Sequence, residues 1–184
     1  MSLAITIVTT ANRKRRFVQT DPTQIGDILD SLKRAGQWFK QSNLIIVGHE
    51  STEVFNPTSI ARVEFETAID LTPYLPSGWK PDAMQAIAAD AATPAGQVDE
   101  DSMRMRIDFF FEGGDTLPVW LDNKDPGSAA ERKARATHLF EQAVLPYRPL
   151  QPGIGLINPA AMTRARFGIA VLYPPNTAWF ANEA

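Results

Sequence analysis

His49, Glu50 and Glu53 place a histidine and two carboxylates within five residues. A second histidine at helical spacing, or a cysteine pair, would be needed to make a zinc site of known type, and neither is present. The stretch therefore reads as a solvated turn between strands. His138 sits beside an apolar stripe with no partner in sequence, which points to boundary packing rather than proton transfer. Asp21 and Asp125 are a candidate acid–base or magnesium pair, but each precedes a proline, and Asp-Pro is a helix start: the carboxylate accepts a backbone N–H and proline lacks none that is needed. Gly153-x-Gly155 leads into a strand instead of a helix, so it does not make a dinucleotide loop. No P-loop, nucleophile elbow or HExxH occurs, and the absence of cysteine removes thiolate chemistry and disulfides. No catalytic residue, metal or cofactor is assigned, and the reading leans away from an enzyme.

Binding is better represented. Arg13, Lys14, Arg15 and Arg16 form a basic run that could reach phosphate or an acidic partner. The whole chain carries a formal charge of −3, which disfavours a dedicated nucleic-acid binder. Single-stranded nucleic acid remains a third reading through this run. Arg62 and Arg164 follow similar phrases, FNPTSIARVEF and INPAAMTRARF. They could converge on an anionic small molecule between two halves or pair with carboxylates such as Glu64 and Glu66, and the structural role is preferred. Trp79 and Trp179 are candidate ligand platforms, although a lid over each core explains such large apolar surfaces more simply.

The elements that carry these residues recur. From Asn56 to Asn158 the offset is 102, and the same step pairs Ile60 with Met162, Arg62 with Arg164 and Phe65 with Phe167. It also carries Ile5 to Ile107, Ile7 to Phe109 and the turn residue Asn12 to Gly114. A chance match has no reason to extend into neighbouring elements. Two hairpins are predicted, one turning at 11–13 and one at 113–115, with Pro118 implying an edge strand or a bulge. Helices follow the Asp-Pro pairs. The first carries Ile25, Ile28, Leu29 and Leu32 and stops at Gly36; the second carries Ala136, Leu139, Phe140, Ala143 and Val144. Apolar strands around 44–47 and 54–55, and around 154–157, lead into the two Asn-Pro turns and a final strand in each half.

The expected fold is α+β: an internal duplication of a β-hairpin–helix–β-hairpin unit, with antiparallel sheets, one covering helix per half and a pseudo-two-fold axis. Small half-open barrels of the Sm-like kind are the alternative. Residues 1–79 form the first repeat half, 80–101 an Ala/Pro-rich join with a short helix near 82–92, and 102–184 the second half, together one compact unit. No run is long enough for a membrane span, and a cytoplasmic, soluble protein is expected. The leading functional expectation is a non-enzymatic module that binds a protein partner or assembles with itself, with Phe110 as its best exposed anchor.

Overall fold

The structure, a computed structural model, describes residues 2–48, 51–91, 96–98, 103–123 and 138–168. The chain is mixed α+β, with one α-helix and three antiparallel sheets among the described residues.

The first sheet starts from the hairpin of β1 (Leu3–Thr9) and β2 (Lys14–Gln19), which turns at Asn12 with φ of 55°. After β2, Asp21 accepts from Gln24 N at 2.9 Å and opens α1 (Pro22–Ser31), as the Asp-Pro pair implies. Ile25 and Leu29 are buried on its inner face. Gly36 does not end the helix: α1 stops at Ser31, and a 3-10 segment, Leu32–Lys40, runs through the glycine with a kink at Arg34. The tighter winding turns Leu32, Ala35 and Phe39 together onto the core. Hairpin β3 (Leu44–Val47) and β4 (Thr52–Phe55) stands as a separate two-stranded sheet, and β5 (Ile60–Glu66) then returns alongside β1.

In its described part, 82–91, the join holds no α-helix. A 3-10 turn at Pro81–Ala83 is followed by β6 (Met84–Ala86), which pairs with the strand containing Trp120. Pairing with an open sheet edge overrides the helical preference of the alanines there. β7 (Gly96–Val98) and β9 (Thr116–Asn123) both pair with β8 (Met103–Phe111). Pro118 is therefore in a strand bordered on both sides, with no bulge in its ladder to β8. Its missing donor is tolerated because β6 covers only Val119–Leu121, while the Pro118 carbonyl accepts from Ile87 N at 2.9 Å.

Asp125 and most of the expected second helix lie outside the described residues. Its described end is not α-helical: Leu139–Glu141 make one 3-10 turn, and Val144 leads into β10 (Leu145–Tyr147). β11 (Gly153–Ile157) and β12 (Met162–Phe167) complete the strands. The strand order is β10-β11-β5-β1-β2 in one sheet and β12-β8-β9-β6 in the other.

Two apolar cores result. Leu3, Ile5 and Ile7 of β1, Val63 and Phe65 of β5, and Ile154 and Leu156 of β11 pack beneath α1 and the 3-10 segment. Ile107, Phe109 and Val119 of the second sheet pack with Tyr147, Ile157 and Ala61. Strand β11 thus serves both cores, one with each face.

The offset of 102 persists in the ladders. Ile5 faces Phe65 and Ile107 faces Phe167; a register shift then falls between Val8 and Thr9 opposite β5, and between Met162 and Arg164 opposite β8. Thr9 N donates to Arg13 O at 2.9 Å, as Phe111 N does to Asp115 O at 3.0 Å. Each Asn-Pro turn is closed alike, Asn56 accepting from Thr58 N and Asn158 from Ala160 N, both at 3.1 Å.

Between residues 1–79 and 102–184, two contacts have no reciprocal among the described residues, although the equivalent turns at Ala11 and Gly113 do touch. β11 pairs with β5, whereas β4 does not pair with β12. The Asn158 side-chain amide donates to Ile60 O at 2.9 Å and Pro57 O at 3.3 Å, while Asn56 makes no such bond to the second half among the described residues. A two-fold axis would require each of these contacts twice.

Candidate functional site

Arg62 lies where the halves meet. β5 places it on the face opposite the first core, only 6% exposed, and its guanidinium pairs with Glu64 at 3.1 Å and with Asp115 on the turn of the β8–β9 hairpin. Tyr147 of β10 donates its hydroxyl to Glu64 Oε1 at 2.6 Å. Burial pushes the Tyr147 phenol well above its ordinary range, and the neighbouring Glu64 charge adds to the effect. One cation between two carboxylates, capped by a buried hydroxyl, is a closed arrangement that joins β5, β10 and the second hairpin.

The structure does not bring Arg164 to Arg62. Arg164 is exposed on β12, with its guanidinium 4.1 Å from the centroid of the Phe110 ring. Phe110, expected as an exposed anchor, is half-buried beneath that cation. The neighbouring buried carboxylate of Asp108 accepts from Arg106 at 2.7 Å and from Arg166 at 2.6 Å. Burial alone would push the Asp108 carboxyl up; the two guanidinium groups outweigh it and hold it below its ordinary value of 3.8.

Half of the basic run is neutralised within the fold. Arg15 pairs with Glu53 and also lies 5.9 Å from the Phe17 ring centroid, and Arg16 pairs with Glu66 at 2.7 Å. Arg13 and Lys14 have no acidic partner among the described residues. Arg16 and Glu66 also line an open groove of about 640 Å³ with Ala4, Val18, Ile69 and Pro152. It opens on the first sheet and contains neither Arg62 nor Arg164.

The other singled-out residues have structural surroundings. Trp79 is half-buried against the first core, as is Trp38, which stands edge-on to Phe65 at 5.3 Å. Trp179 and His49 lie outside the described residues. His138 is exposed rather than at a packing boundary, 2.6 Å from Glu141. Gly153 has φ of 145°, and a Cβ there would strike the Phe65 carbonyl; at Gly155 it would strike the Tyr147 ring. These glycines allow close strand approach and do not form a ligand loop. Among the described residues, no group of three or more His, Asp and Glu could hold a metal ion, and no helix is long and apolar enough to cross a membrane.

An apolar surface on β3–β4 had no place in the expected site. Its inner face, Leu44, Ile46 and Phe55, packs on the first core. The outer face leaves Ile45 53% exposed, Val47 75% and Val54 63%. The signal was legible: Leu44-Ile45-Ile46-Val47 is apolar at both parities, the pattern of a strand covered on two sides.

Searched against protein-family models, curated proteins and solved structures, the chain matches none of them.

Proposed function

We propose that this chain is a non-enzymatic interaction module that assembles with itself or with a protein partner through the β3–β4 hairpin. The carrying observation is the outer face of that hairpin, where three branched apolar side chains, Ile45, Val47 and Val54, stand largely in water. Those side chains sit on a two-stranded sheet whose backbone edges have no neighbour among the described residues. An apolar face and open strand edges on one hairpin are the two features that strand addition uses. The enclosed ion pairs at Arg62 fit a scaffold role, because that cation is spent inside the fold. Duplication of one unit is part of this reading, supported by the shared register, bulge position and capped turns at an offset of 102.

The test is the mass of the purified chain by light scattering over a wide concentration range, alone and as Val47→Lys. Self-assembly is expected to raise the mass above the 20.3 kDa of one chain, and the lysine to lower it. A wild-type chain that stays at one-chain mass throughout removes the self-assembly reading.

A further inference from the structure

We infer that copies of this chain join head to tail, with β4 of one copy pairing antiparallel with the outer edge of β12 of the next. The inference rests on the self-assembly reading and names its geometry. Within the chain, the second half already docks on the first in this way. β11 pairs with the outer edge of β5, aligning Leu156 with Val63 and Ile154 with Phe65. Asp115 and Asn158 act in the same direction, reaching Arg62 and the carbonyls of Pro57 and Ile60. None of the three contacts has its reciprocal among the described residues. A one-way contact of this kind uses one surface of each unit and leaves its complement open at both ends of the pair.

The two open surfaces are the ones that the offset of 102 predicts. β4 is the counterpart of β11, and β12 that of β5. Val63 and Phe65 are buried under β11, whereas their counterparts Ala165 and Phe167 are only half-buried. Leu156 is fully buried, whereas its counterpart Val54 is 63% exposed. Among the described residues no strand occupies the outer edge of β12 or the free edge of β4.

Carrying the β11–β5 register across gives Val54 opposite Ala165 and Glu53 opposite Arg166. The first pair closes an apolar contact; in the second, each charge already has a partner in its own chain, Glu53 in Arg15 and Arg166 in Asp108. β3–β4 keeps its inner face on its own core throughout. Successive copies continue the contact, into a ring where the rotation between them closes and into a filament where it does not.

The test uses the full chain, whose lack of cysteine leaves introduced thiols without competitors. Val54→Cys and Ala165→Cys chains are purified separately, oxidised alone and as a mixture, and run without reductant. Directly opposed antiparallel residues lie within disulfide reach. The expected result is a two-chain band in the mixture and little in either protein alone. Val54→Asp, at an exposed position, is expected to return the assembly to 20.3 kDa with an unchanged far-ultraviolet circular dichroism spectrum. If assembly persists in Val54→Asp and the mixture does not cross-link, this geometry is overturned while self-assembly stands. Cross-linking of Val54→Cys with itself alone overturns it in favour of a symmetric β4 contact. A one-chain mass for the wild type removes both readings.

Discussion

Arg62 and Arg164 occupy equivalent places in sequence and opposite ones in energy. Arg62 is enclosed with Glu64 and Asp115, so its removal leaves two half-buried carboxylates without a counter-charge. Arg62→Ala is expected to cost about 3 kcal/mol or more in urea unfolding. Arg164 lies in water over Phe110, and Arg164→Ala is expected to cost under about 1 kcal/mol by the same measurement. Asp108 supplies a pH dependence. Its carboxyl titrates lower in the folded chain than in the unfolded one, so its contribution is complete above the ordinary aspartate range and is lost as pH falls through that range. The margin of the wild type over Asp108→Asn, from unfolding curves, is expected to begin narrowing as pH drops below about 4 and to vanish only below the lower folded value, where the acid is protonated and resembles the amide. That Arg62 would meet Glu64 was legible in the sequence, because that carboxylate stands two residues away. Its partner Asp115 was not, since only the fold brings a residue on the second hairpin's turn to the first half's last strand.

At the scale of elements, the two Asn-Pro turns share one local chemistry and differ in what surrounds them. Asn56 closes its own turn, with Thr58 donating from both backbone and hydroxyl. Asn158 closes its turn and also donates to two carbonyls of the first half from a fully enclosed position. Asn56→Ala is expected to cost about 1 kcal/mol. Asn158→Ala, which also strands buried acceptors, is expected to cost about 2–3 kcal/mol, read from paired thermal melts and urea curves. Local signals anticipated these turns, the Asp21 cap and the hairpins at Asn12 and Gly114 because each depends on residues within one turn of the chain. They failed at 82–91 and around Gly36. An alanine-rich run becomes β6 when an open edge of β9 is available, and a glycine does not stop a segment whose Leu32, Ala35 and Phe39 are all drawn into the core.

Across the whole molecule, the decisive element is β11. It lends Ile154 and Leu156 to one core and Ile157 to the other, so neither core is complete without it. Residues 1–79 expressed alone, lacking those side chains, are expected to show no cooperative calorimetric transition, whereas the full chain unfolds in a single step. Two transitions in the full chain would separate the cores. The sequence by itself determined the recurrence at 102, the hairpins, the first helix and its cap, and the absence of cysteine chemistry, since all of these are properties of neighbouring residues or of spacing. Only the tertiary structure decided that β11 pairs with β5 while β4 does not pair with β12, that Arg62 is enclosed while Arg164 is not, and that the apolar face left in water lies on β3–β4. Those outcomes depend on which strand edge is filled and which remains open. Equivalent stretches of sequence carry equivalent local preferences, and a one-way contact gives each of them a different neighbour.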